Sequence, residues 1–348
     1  MKNRLPETVT LKQVAAKAGV SVTAASSVLN RKNPNIRISA DKALLIQKVA
    51  EDLHYVPNGL ASSLRTNRTQ NIGLVFENFG AITDGMFYVE LLDGVAQELF
   101  KNKYRLTILP EVDREAPLNS LGNGTLDGVI WCKLPQSPDV LKILKHSNIP
   151  FIALHARPSK GHEAAAYVSS DNVGGAKLAV EHLASFGHEK ILFVLEQFEE
   201  DVPDAEARLE GFLAGCKEQG LAVSAEDIQV WGRDMADFDQ WHAERPPHTA
   251  IIAWNERSAA AILSRCRDCG VPVPDRYSVM GFDSTPFAEM TVPPLTCIHQ
   301  PIRQMAGTAV QLLLDRLNHD NPVKDVEFPM ELDVRASTGP VRPSIFTA

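Results

Sequence analysis

TLKQVAAKAGVSVTAASSVLN, residues 10–30, is the stretch whose reading decides how the N-terminal part of the chain folds. Thr10 with Gln13 three residues on has the form of a capping box, so a helix is predicted to open at Leu11. Leu11, Val14, Ala15 and Ala18 then recur on one helical face. Gly19 supplies the left-handed residue that closes that helix. Val20 is the apolar plug of the turn, and Ser21 is the N-cap of a second helix running from Val22 to Asn30. The start of this second helix carries small and hydroxyl residues, Ser21, Thr23, Ala24, Ser26 and Ser27, which suits close approach to a nucleic-acid groove. A third helix is predicted from Ser39, with Leu44, Leu45, Val49 and Leu53 as its inner stripe. Two short helices joined through A-x-A-G-V-S, with a third packed behind, form a helix-turn-helix.

An ordinary three-helix bundle is the competing reading, and charge separates the two. The 348-residue chain has a formal net charge of −8, which by itself argues against a nucleic-acid partner. The average hides a division. Residues 1–70 hold eleven Lys and Arg against four acids, a net +7, and the remainder therefore carries −15. A basic module on an acidic body is the footprint of a polyanion-binding headpiece. The length suggests two or three folded units. No apolar run reaches the ~20 residues of a membrane span, and MKNRLPETVTLKQ has no apolar signal core, so a cytoplasmic protein is expected. The five cysteines are expected to be free thiols. Cys266 and Cys269 have C-x-x-C spacing, but no second pair completes a zinc set, so neither a metal nor a cofactor is expected.

VTLKQVAAKAGVSVTAASSVLN, together with LHYVPNGLASSLRT further on, strongly resembles the lactose-repressor (LacI/GalR) family of bacterial regulators. The resemblance implies a second helix that reads the major groove of operator DNA, with Thr10, Ser21, Val22, Thr23, Ala24, Ser26, Ser27 and Asn30 at the interface. It implies a hinge over residues 58–69 that folds on the operator, with Tyr55, Asn58, Ala61, Leu64 and Arg65 on the DNA. Leu64 would be the wedge in the central minor-groove step, a device that kinks the duplex. Two departures stand out. Members usually carry T-V-S-R where this chain has Ala24-Ala25-Ser26-Ser27, which removes a bidentate guanine reader. Arg31 to Ile38 lengthens the link after the second helix and adds three basic side chains placed to follow phosphates.

From residue 70 onward short apolar runs alternate with helical patterns. The strand candidates are Ile72–Phe76, Arg105–Leu109, Gly128–Cys132, Phe151–Leu154, Ile191–Leu195, Thr249–Trp254 and Ser278–Phe282. Amphipathic stretches lie between them at Tyr88–Lys101, Val173–Phe186, Ala205–Gln219 and Ser258–Cys269. Repeated βα units predict parallel, doubly wound sheets, and there are too many strands for one. Ligands of such sheets bind beyond the carboxyl ends of the strands. The residues standing there are polar: Glu77, Lys133, His155, Glu196, Asn255 and Asp283. Each is also compatible with a solvated loop or a helix cap.

The family resemblance continues through ARLEGF at 207–212, Thr249–Asn255, VPVP at 271–274, Gly281-Phe282-Asp283, PPLT at 293–296 and IHQP at 298–301. The fold it implies is an all-α helix-turn-helix headpiece (residues 1–57) with a hinge helix (58–69), followed by an α/β periplasmic-binding-protein-like, type I, two-lobed sensor domain (70–348). The lobes would comprise about 70–170 plus 301–329 and about 171–300 plus 330–348, and the sensor would also form a homodimer. Carried over by position, Arg208, Asn255, Asp283 and Gln300 fall at effector-contacting places, with Phe87 and Tyr88 as an aromatic wall. His155 stands where many members have Asp, a departure that bears on hydroxyl recognition. The segment around Trp231 to Met235 is shorter on its C-terminal side than is usual in the family. An arginine fork, a carboxylate and carboxamides suit a sugar or sugar derivative, though the arginine would equally meet a carboxylate or phosphate of an anionic metabolite. A Rossmann dehydrogenase is excluded because Glu77-Asn78-Phe79-Gly80, after the first strand, provides no phosphate loop. With no G-x-S-x-G or Walker loop either, an enzyme is not expected. A sugar-binding receptor without DNA function would lack the basic headpiece.

Overall fold

The structure is a computed structural model that describes residues 9–30, 38–57, 63, 68–76, 85–110, 123–132, 146–147, 149–155, 166–197, 202–233, 235–319 and 324–342. The chain divides into two compact units, Met1–Thr69 and Gln70–Ala348.

In the first unit the helices are α1 (Leu11–Lys17), α2 (Val22–Asn30) and α3 (Ala40–Asp52). The Thr10–Gln13 capping box is formed in both directions. Gly19 takes φ +65°, and the amides of Gly19 and Val20 return to the carbonyls of Ala16 and Ala15, the Schellman closure. Ser21 Oγ accepts from the Ala24 amide at 3.1 Å, so the second helix begins where its cap does. Val14, Ala15, Ala18, Ala25, Ile46, Val49 and Ala50 form the core. The stripe expected on α3 is therefore corrected in phase. Ile46, Val49 and Ala50 face inward, whereas Leu44 and Leu45 are 64% and 46% exposed. Apolar side chains mark a stripe only where they repeat at i, i+3 and i+4, and in α3 that repeat starts from Ile46.

The second unit contains two six-stranded sheets. The first comprises β1 (Asn71–Phe76), β2 (Arg105–Pro110), β3 (Gly128–Cys132), β4 (Phe151–Leu154), β5 (Ala166–Ser170) and, from far along the chain, β11 (Val326–Phe328). Its order is β11-β5-β4-β3-β1-β2, with every pairing parallel. The second comprises β6 (Ile191–Glu196), β7 (Ile228–Trp231), β8 (Ala250–Ala253), β9 (Ser278–Asp283), β10 (Thr296–His299) and β12 (Glu331–Asp333), in the order β12-β10-β9-β8-β6-β7. Only β12 runs antiparallel to its neighbour.

Strand periodicity distributes the core. On β6, Ile191 and Phe193 face the cluster with α5 (Asn172–Ser185) and α6 (Pro203–Glu218). Leu192 and Val194 face the opposite cluster with α7 (Asp237–Ala243) and α8 (Glu256–Asp268). The first sheet is covered on one face by α4 (Met86–Lys101) and α10 (Ile302–His319) through Leu91, Val95, Leu99, Met305, Ala309 and Leu313. A short helix, α9 (Pro286–Met290), follows β9. The chain passes between the sheets three times: after β5, after β10, and between β11 and β12. The carboxyl ends of β5 and β10 meet at these passages, where Ser170 Oγ donates to Gln300 Oε1. Among the described residues no helix is long and apolar enough to cross a membrane.

Candidate nucleic-acid interface and effector site

On the headpiece, Ser21, Val22 and Thr23 are exposed at the start of α2, while Ala24, Ser26 and Ser27 are half-buried. Lys12, Lys17, Lys42 and Lys48 are all at the surface. Thr10 is exposed, but its hydroxyl is engaged with Gln13. Tyr55 is half-buried against the three-helix core. The side chain of Asn30 and the candidates Asn58, Ala61, Leu64 and Arg65 lie outside the described residues, as do Glu77 and Lys133.

In the sensor unit a buried polar network runs through the junction of the lobes. Arg208, 1% exposed on α6, donates from Nε to Asn172 Oδ1 at 2.8 Å and from Nη1 to the Trp254 carbonyl. Its Nη2 lies 3.5 Å from Asp283 Oδ1, and the guanidinium stands 4.4 Å from the Phe282 ring centroid. Gln300 Nε2 donates to Asp283, and Gln300 Oε1 accepts from Ser170 Oγ at 2.6 Å. Asn172 Nδ2 donates to Asp204 Oδ1 at 3.1 Å, and His155 Nε2 lies 2.9 Å from Asp204 Oδ2. The His155 ring packs 4.4 Å from Phe87, which meets Tyr88 edge-on at 5.2 Å. Thus β4, β5, α4, α5, α6, β9 and the end of β10 each contribute a group.

Local backbone serves this arrangement. His155, Asp283 and Ser284 take φ of 54°, 90° and 55°, the left-handed region disfavoured for residues with a Cβ. Thr285 secures the turn after Asp283 by donating its amide and hydroxyl to the Glu256 carboxylate at 2.8 and 2.5 Å. Burial, with the Asp283 charge adding to it, pushes Glu256 up to about 7. Glu196 is held by Arg233 at 2.5 Å and by Arg257.

Of the effector candidates, Phe87, Tyr88, His155, Arg208, Asp283 and Gln300 come together. Asn255 takes another part: its Oδ1 accepts from the Ser258 amide at 2.8 Å and caps α8. Arg208 and Asp283 belong to the same lobe and lie against each other, because α6 packs on the sheet that contains β9. Sequence reasoning missed Asp204, Asn172 and Ser170. The first was detectable, since Asp204 and Arg208 share a helix face at i, i+4. The other two follow from β5, whose AYVSS is too polar to read as a strand. Cys266 is buried with its thiol pushed up to about 12 by burial, while Cys269 is exposed.

The headpiece matches the profile of bacterial regulatory proteins of the lacI family over residues 10–58, and a periplasmic binding protein-like domain matches residues 180–338. Together these cover well over half of the chain. The HTH-type transcriptional repressor PurR of Vibrio vulnificus is 29% identical over 342 residues, covering 94% of this chain and 97% of that protein. The lac repressor dimer bound to operator and the anti-inducer ONPF superposes with a TM-score of 0.82 at 22% identity, covering 96% and 100% of the two chains. A LacI family transcriptional regulator from Enterococcus faecium with bound ribose superposes at 0.69, with 25% identity, over 78% of this chain and all of that one. These proteins are regulators rather than enzymes. The chain belongs to the lacI family, and it is a ligand-regulated, DNA-binding transcriptional repressor.

Proposed function

We propose that this repressor acts in the cytoplasm as a homodimer whose operator affinity is set by an uncharged, polyhydroxylated effector, a sugar or sugar derivative, bound between the lobes. The observation that carries the choice of ligand is the state of Arg208. Its fork is already met by Asn172, the Trp254 carbonyl and Asp283. A phosphate or carboxylate would compete for an engaged cation while facing two buried carboxylates, Asp204 and Asp283. Hydroxyl groups bring both donors and acceptors and add no charge to that balance. Phe87 and Tyr88 offer the apolar flank that a sugar ring uses.

A thermal-shift panel on the full chain tests the reading, because a ligand that binds only the folded state raises its apparent stability. Neutral sugars such as D-ribose and cellobiose form one arm, ribose 5-phosphate and glucuronate a second, and adenine a third. A response confined to the second arm overturns the uncharged ligand, and one confined to the third overturns the sugar. An operator titration with and without the responding sugar then distinguishes inducer from corepressor. For the homodimer, support comes from Met290 and Val292, 77% and 73% exposed beside Phe287 on and after α9. Converting both to Glu is expected to shift light scattering from dimer to monomer; a parent chain already monomeric at micromolar concentration would refute the dimer.

A further inference from the structure

We propose that Asp204 is a positioning residue that sets the polarity of the effector site: it holds His155 in the Nε2–H tautomer, so that Nδ1 accepts a hydrogen bond from a hydroxyl or N–H of the ligand. This inference rests on the reading of the lobe junction as the effector site. It goes further by assigning the direction of one hydrogen bond.

The reasoning starts at Arg208, which has only donors. Its Nε donates to Asn172 Oδ1 at 2.8 Å, which fixes the orientation of that amide. Asn172 Nδ2 must therefore face Asp204, and it does so, donating to Oδ1 at 3.1 Å. The other carboxylate oxygen of Asp204 accepts as well, so His155 Nε2, 2.9 Å away, has to be the donor. In a neutral imidazole the proton on Nε2 leaves a lone pair on Nδ1. That atom is buried and has no hydrogen-bond partner among the described residues. The side chain is 5% exposed, lodged between Phe87 of one lobe and Asp204 of the other. A buried acceptor left unmet is costly, and a donor on the ligand removes that cost. The relay Arg208–Asn172–Asp204–His155 thus converts an obligate donor at one end into an acceptor at the other. A ligand group that only accepts, such as an ether, carboxylate or phosphate oxygen, is refused at this place.

Asp204→Asn tests the relay with almost no change of shape. Asn172 still demands an acceptor, so the new amide turns its oxygen to Asn172 and its NH2 to His155. The ring must then switch to the Nδ1–H tautomer. Long-range 15N–1H spectra of the full chain labelled at histidine, with His155→Gln to assign the signal, read the tautomer directly. We expect Nε2–H in the parent and Nδ1–H in Asp204→Asn. Nδ1–H or a doubly protonated ring in the parent overturns the proposal, as does an unchanged tautomer in the variant. The parent spectrum decides even if the variant does not fold. In the thermal-shift panel, each sugar that stabilises the parent should bind Asp204→Asn roughly ten- to hundredfold more weakly. Undiminished affinity beside a switched tautomer overturns the ligand contact. A panel without any responding sugar overturns the sugar reading alone, and the spectrum still decides the polarity.

Discussion

The two lobes of the sensor unit are each built on a six-stranded sheet, yet they are filled differently. In the first, the buried polar residues among those described are His155, Ser169 and Ser170, all at carboxyl ends of strands beside the second lobe. The interior around Ile72, Leu74, Ile130, Ile152 and Leu154 is otherwise hydrocarbon. In the second lobe His182, His188, His248, Asp227, Ser278, Thr296, Ser337 and Thr338 are all buried. His188 bonds Thr249, Ser278 and the Gly339 carbonyl, and His248 lies 2.8 Å from Asp227. A hydrocarbon interior is indifferent to pH and tolerant in its packing. An interior tied by directional bonds is specific and sensitive to the charge state of its members.

Acid should break the equivalence of the lobes most strongly. Burial lowers His182, His188, His242 and His248 below the ordinary histidine value, with the Arg276 charge adding to the effect at His242. The unfolded chain takes up protons near 6.5 while the folded one resists them, so stability holds above that pH and falls as pH drops below it. Glu256 acts in the opposite sense. Raised to about 7 from 4.5, it costs stability while ionised above 7 and is relieved as pH falls towards 4.5. Four histidines thus act in one direction and one carboxyl in the other. Trp231, Trp241 and Trp254 report on the second lobe and Trp131 on the first. Fluorescence of variants that keep one set or the other should show the second lobe opening at the higher pH; coincident transitions would refute this asymmetry.

Next in size is Arg208→Ala. It removes one partner from a buried charged network and should cost about 3–5 kcal/mol in urea unfolding, in addition to weakening the effector. A cost below ~1 kcal/mol would mean that the network is not closed in solution. This cost also means that Arg208→Ala does not separate effector binding from folding.

How much of this was legible in the sequence follows the same division. Phe151–Leu154 and Gly128–Cys132 could be placed to the residue, because a strand buried on both faces reads as an unbroken apolar run. The headpiece caps were legible because Thr10, Gly19 and Ser21 each have a conformational reason to stand where they do. The strands Thr296–His299, Val326–Phe328 and Glu331–Asp333 were not, being three or four residues long and partly polar. Helix α10, by contrast, carries a full helical pattern that spacing alone makes legible, Ile302, Met305, Ala306, Ala309, Val310 and Leu313. At the site, residues at strand ends could be named one at a time. That Arg208 and Asp283 answer each other depends on α6 packing over β9, which no local pattern records.

The smallest effect sharpens the same point. Asn255→Ala removes the cap of α8 and should cost about 1 kcal/mol, with Asn255→Asp close to the parent. If the cap is its whole role, effector affinity measured by calorimetry stays within about twofold. A larger loss would restore Asn255 to the ligand.

The three passages between the sheets bear on how the chain is made. The first lobe cannot close until residues 326–328 supply its edge strand, and the second waits for residues 331–333. On a ribosome the two therefore mature almost together, once the stretch through residue 333 has emerged, although proteins ordinarily complete their domains in order from the N-terminus. The headpiece is finished hundreds of residues earlier. Between those two points the growing chain has its reading head and an open, unfinished sensor. A chain cut short anywhere between the headpiece and residue 326 has both lobes incomplete.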